Sequence, residues 1–122
     1  MKQNQIKDKS YQFALEIIKL CKQLRENKEY HIAGQLIRSG TSIGANVEEA
    51  NAGQSKKDFI AKMSIASKEA RETHYWMRLL IDSDCSDKVA AKSLLNDCDE
   101  LIRLLTAIVK TSQFSIKQDS TV

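Results

Sequence analysis

Hydrophobic residues recur along this chain at alternating spacings of three and four, the pattern of one buried face on each of several α-helices. Four such stretches, at residues 8–26, 29–52, 55–82 and 86–112, are separated by short polar connections. In the first, Phe13, Ile17, Leu20 and Leu24 set the apolar stripe, and Ala14, Ile18 and Cys21 widen it. The third opens with Ser55, an N-cap serine, and places Asp58 three residues later, where an acid answers exposed amides. It continues through Phe59, Met63, Ala66, Ala70, Thr73, Met77 and Leu80. The fourth starts at Ser86, a second N-cap candidate, and carries Ala91, Leu94, Cys98, Leu101, Leu105 and Ile108, joined by Leu95, Ile102 and Val109. The first seven residues and those beyond Ser112 show no sustained period and are expected to fray. Amphipathic segments with short connections bury their stripes most simply in an all-α, antiparallel, up-down-up-down, left-handed four-helix bundle, one domain spanning residues 1–122.

Composition narrows the alternatives. A chain of 122 residues can bury a core without disulfides or metal, and Pro 0 with Gly 4 leaves too little turn punctuation for a sandwich, barrel or α/β fold. No apolar run reaches the roughly 18 residues of a membrane span. Cys21, Cys85 and Cys98 lie far apart, in no metal or redox spacing, which fits free thiols in a reducing cytoplasm. The start, MKQNQIKDKS, is basic but lacks a following apolar segment and does not read as a secretory signal. A formal charge of +3 is too small to imply a polyanionic partner by itself.

The second helix is unusual. All four glycines, Gly34, Gly40, Gly44 and Gly53, fall within it or at its end, and an interior glycine costs a helix about 1 kcal/mol relative to alanine. Close approach by another helix would offset that cost. Beside its core stripe of Ile32, Leu36, Ile43, Val47 and Ala50 runs a second one of Gln35, Arg38, Ser39, Ser42, Asn46 and Glu49. Between Tyr30 and Val47 the sole formal charge is Arg38, so this stretch reads as occluded. Two readings stay open: a subunit interface read by hydrogen bonds, or a small-residue seam inside one chain. The third helix has a matching second stripe of Asp58, Lys62, Ile65, Glu69, Glu72, Trp76 and Leu79. Glu69 and Glu72 either receive Arg38 or stand as two solvated acids.

Tests for catalytic chemistry fail. A di-iron bundle needs Glu-x-x-His on two helices, but Arg71 stands three residues before His74 and Lys28 three before His31. No phosphate-binding, nucleophile-elbow or HExxH motif occurs, and Cys21 belongs to an apolar face, where a cysteine fills a core. No catalytic, metal or cofactor residue is therefore assigned, and no enzyme activity is expected. One electrostatic feature remains: Lys57, Lys68, Arg71, Tyr75 and Arg78 fall within about 80° of one another on the third helix, with His74 at the margin. Cations with an interleaved aromatic suit a phosphate backbone and an unstacked base, although a solvated helix face can carry the same residues.

The string Gln35-Leu-x-Arg38-Ser39-x-x-Ser42-Ile43-x-x-Asn46-x-x-Glu49-Ala50, followed by Asp58-Phe59, Ala66, Glu69, Glu72-Thr73 and Trp76, resembles the bacterial four-helix-bundle family encoded in intervening sequences of 23S ribosomal RNA genes. The resemblance covers roughly residues 11–81 and extends to the fourth helix in pattern only. Many members carry glycine where this chain has Ala50. The resemblance implies an up-down-up-down bundle, a ring-shaped homopentamer, and kinship with the accessory proteins of diversity-generating retroelements, which bind nucleic acid and a reverse transcriptase. It implies no agreed activity. The expectation is a non-catalytic cytoplasmic homo-oligomer associated with RNA or DNA. The alternative is a protein-interaction scaffold whose partner is another protein.

Overall fold

The computed structural model describes residues 2–120, which form four helices: α1 (Lys2–Glu26), α2 (Tyr30–Asn51), α3 (Lys56–Asp82) and α4 (Lys88–Ser120). Each packs on the next in chain order and α4 closes the ring more sparsely on α1, while among the described residues the diagonal pairs do not meet. Between α1 and α2, Lys7 pairs with Glu48 and the Cys21 thiol donates to the Ala33 carbonyl. Between α2 and α3, Arg38 meets Glu69 and Glu72 while Glu49 meets Lys62. Between α3 and α4, Arg71 reaches Thr106 and His74 reaches Asp99. Along every contact one residue number rises as its partner's falls, so neighbouring helices are antiparallel.

The apolar stripes meet in one core running from Ile6 through Ile17, Leu36, Ile43, Met77, Leu101 and Leu105. Ile18, expected to widen the α1 stripe, is instead 37% exposed, because it lies on the outer flank of the helix. Both end helices also reach beyond the limits that the periodicity set. Ile6 is fully buried seven residues before Phe13, and buried Ser10 lies between them, its hydroxyl donating to the Lys7 carbonyl at 3.2 Å. A serine thus hid two turns of stripe: its polar group is satisfied within its own helix, so burial costs little. At the other end, half-buried Ser112, Ser115 and Ile116 carry α4 past the expected stop, and Lys56 Nζ donates to Ser115 Oγ at 3.1 Å.

Local chemistry sets the boundaries. Ser55 Oγ accepts from the Asp58 amide at 3.1 Å, as its sequence position predicted. α4 starts later than Ser86 suggested, because Asp87 Oδ1 takes the Val89 amide at 2.9 Å. α1 and α3 end without glycine. Lys28 (φ 64°) and Asp84 (φ 59°) adopt the left-handed conformation, and the amides after them, of Glu29 and Cys85, return to the Leu24 and Leu80 carbonyls.

Candidate functional site

The polar stripes of α2 and α3 meet within one chain. Arg38 Nη1 lies 3.4 Å from Glu69 Oε2, and its Nη2 donates to Glu72 and to Gln35 Oε1. Trp76 Nε1 donates to Glu72 Oε2 at 3.0 Å, and Lys62 reaches Glu49 at 3.2 Å. Arg38 therefore pairs with both acids, which are not two solvated carboxylates. Below this network Ser39 is 0% exposed, donates to the Gln35 carbonyl at 3.0 Å, and accepts from Thr73 Oγ1 at 2.9 Å. Ser39 is corrected from interface candidate to seam residue, because a hydroxyl closed over by its own α3 cannot touch a second subunit. Ser42 Oγ and Asn46 Nδ2 donate to carbonyls four residues back, of Arg38 and Ser42, so both polar groups are satisfied within α2. With Arg38 half exposed, its ion pairs contribute about 0–1 kcal/mol and chiefly fix the register of α2 against α3.

Outside the seam, α2 turns Gly34, Thr41 and Ala45 toward the surface. A Cβ on Gly34 would meet nothing within 4 Å, whereas one on Gly40 would lie 2.9 Å from Ile17 Cγ1 and Cγ2. The close approach by another helix inferred from the glycines is made by α1 at Gly40 and does not account for Gly34. On one flank of this face, α1 exposes Tyr11, Leu15 and Ile18, which share the side of the helix from which Lys7 reaches Glu48. On the other, α3 exposes Ile65 (40%) and Leu79 (41%) beside half-buried Trp76. Arg38, Glu48 and Glu49, the α2 charges here, all have partners in the same chain. The result is a face of paired charge between two apolar flanks. The α1 flank was missed in the sequence because its i, i+4, i+7 spacing runs beside a stronger core stripe.

The basic row lies on the other outward side of α3. Lys57, Lys68, Arg71 and Arg78 are exposed, as is Tyr75 at 48%. The Arg78 guanidinium stands 5.8 Å from the Tyr75 ring centroid, and Arg71 Nη2 donates to Thr106 Oγ1 at 3.2 Å. Tyr75 meets Trp76 edge-on, with centroids 5.3 Å apart, and so links the row to the apolar flank. His74, at the margin, is held by Asp99 at 2.9 Å.

The sparse α1–α4 contact leaves a cleft of about 350 Å³ lined by Asp8, Lys9, Glu16, Asp97 and Glu100 over Phe13 and Leu101. Burial pushes the Asp97 carboxyl above its ordinary range; Glu100 and Glu16 add to the rise, against Lys9. Cys21 and Cys98 are buried, and desolvation pushes their thiols up to about 11 and about 12. Neither has the depressed pKa of an activated nucleophile. Among the described residues no group of three His, Cys, Asp or Glu is arranged to hold a metal ion, and no helix is long and apolar enough to cross a membrane.

Comparison with known proteins agrees with this architecture. No curated protein matches the chain. A crystal structure of a protein of unknown function from the S23 ribosomal protein family of Bacteroides thetaiotaomicron is 49% identical, with a TM-score of 0.87 over 90% of this chain and 99% of that one. The profile of the family described as 23S rRNA-intervening sequence protein matches residues 2–107, beyond the stretch that carries the sequence motif and into α4. The chain belongs to the 23S rRNA-intervening sequence protein family.

Proposed function

We propose that this protein is a non-catalytic, cytoplasmic, self-associating bundle that presents the basic row of α3 to nucleic acid, RNA foremost. The carrying observation is the division of its surface. On the α2 side the charges are neutralised in pairs between exposed apolar flanks, whereas on α3 Lys57, Lys68 and Arg78 are exposed and take no ion pair among the described residues. A face whose charges are held in ion pairs can be desolvated against another copy; an unpaired cation row attracts phosphate. The two roles reinforce each other, because a ring multiplies a weak basic row and raises avidity without new contacts. Five copies is the number implied by the family resemblance. The 23S rRNA context in the family's description gives RNA priority over DNA.

The test is binding of structured RNA across a salt series. Affinity should fall with salt, and K68Q/R71Q/R78Q should lower both the affinity and the slope while the oligomer persists, since each neutralised phosphate releases counterions. Retention of that variant on heparin equal to the wild type's, with no RNA recovered on the tagged protein from its own cells, rejects the reading. The exposure of Ile65 and Leu79 favours one alternative, a scaffold whose apolar flank receives a different protein.

A further inference from the structure

The groove between α3 and α4 carries cations on both of its walls. On α3, Lys57, Ser64, Arg71 and Arg78 recur every seven residues, about 10.5 Å apart along the helix. On α4, Arg103, Lys110 and Lys117 recur at the same interval. They line the flank that faces α3, because Asp99 and Thr106 on that flank are bonded to His74 and Arg71. The antiparallel register sets Arg103 near Arg71 and Lys110 beside Ser64 and Ser67. Two clefts, of about 260 and 510 Å³, run on from there and share Lys110 and Gln113. Arg103 and Lys110 are exposed and take no ion pair among the described residues. Among the described residues, the carboxylates on the facing flanks are Asp99, held by His74, and Asp82 at the far end of α3. The floor between the walls offers the neutral hydrogen-bonding groups of Ser64, Ser67, Thr106 and Gln113. An exposed aromatic marks each end: Tyr75 toward Asp99, and Phe114, 62% exposed, about 22 Å further along α4.

We propose that this groove is the track of a single nucleic-acid strand, with Arg103 and Lys110 supplying a second row of phosphate contacts and Tyr75 and Phe114 stacking unpaired bases at its ends. The assignment rests on the nucleic-acid reading above and specifies it. Packed helix axes are about 8–10 Å apart, a width that flanks one sugar-phosphate backbone with cations rather than the two of a duplex. Stacking on Tyr75 and Phe114 requires bases free of pairing.

The experiment measures fluorescence anisotropy of a labelled short oligouridylate and of an RNA duplex of equal length, with light scattering and circular dichroism as controls for assembly and fold. The wild type should bind the single strand about tenfold or more tightly than the duplex. R103Q/K110Q should lose affinity and salt slope as K68Q/R71Q/R78Q does, and F114A should weaken the single strand roughly fivefold or more with little change for duplex. If the α4 variants bind like the wild type while the α3 variant does not, the groove assignment is wrong and the α3 reading stands. Equal affinity for both ligands overturns the single-strand assignment. A wild type that binds neither removes both proposals.

Discussion

Gly34 and Gly40 sit in the same helix, and the same substitution should move stability in opposite directions at the two. At Gly34 a methyl group enters open space, so Gly34→Ala should stabilise the fold by up to about 1 kcal/mol through helix propensity alone. At Gly40 it meets Ile17, which is fully buried and branched at Cβ and cannot turn aside. Overpacking of about 1–3 kcal/mol there exceeds the propensity gain, so Gly40→Ala should be net destabilising. Urea titration of the two variants as dissociated protomers separates them, and stabilisation by both would mean that α1 is not packed on Gly40. The glycine cluster was legible in the sequence as a sign of close packing. Which glycine the packing needs was not, because that depends on where Ile17 points across the α1–α2 contact. The choice between interface and seam for Ser39 was closed to the sequence for the same reason. Its helical position told which stripe it joins, but its burial follows from Thr73 on a different helix.

Along each element, the periodicity located every helix and most of its core, and failed where a polar residue occupies a buried position or a left-handed residue ends a turn. Ser10 broke the α1 stripe on paper, although its hydroxyl is satisfied by Lys7 of the same helix. Lys28 and Asp84 terminate helices at positions where glycine would have announced the stop. The α4 cations of the groove were missed because α4 was read for its apolar face, and their significance needs the register against α3. On its opposite flank α4 meets α1 through crowded acids, and here a pH dependence follows. Asp97 is raised above its ordinary value of 3.8 by burial and by Glu100 and Glu16, so ionising it opposes folding. A carboxyl of this kind favours the fold while protonated and loses that contribution as pH rises through its folded pKa. Asp97→Asn should therefore raise the melting temperature slightly at about pH 7, and the gain should disappear at about pH 3, where the wild-type carboxyl is itself protonated. A gain of equal size at both pH values would assign the effect to something other than the acid cluster.

At the scale of the whole molecule, the basic groove and the low-charge face occupy different sides, and only α3 contributes to both. The fold itself could be read from the sequence, since four stripes with short connections leave few ways to close a core. The faces could not, because each combines residues from two or three helices. This arrangement makes the self-association proposal separable from the nucleic-acid one. Leu79 and Ile18 are 41% and 37% exposed, on opposite flanks of α2, so the stem of a lysine at either position can keep the packing while its charge reaches solvent. If a second copy covers the face, Leu79→Lys and Ile18→Lys should each shift the assembly toward the 13.8 kDa protomer in concentration-dependent light scattering, with helicity unchanged. Gly34→Ala supplies the sharper discrimination. It should stabilise an isolated protomer, yet weaken an assembly in which another helix approaches the α2 backbone at the open side of Gly34. Stabilisation together with dissociation would mean that another copy of the chain approaches Gly34, whose glycine the chain's own packing does not require. A wild type that remains a protomer throughout the micromolar range would instead leave the flanks of Leu79 and Ile18 to a different protein, and the scaffold reading would then replace self-association.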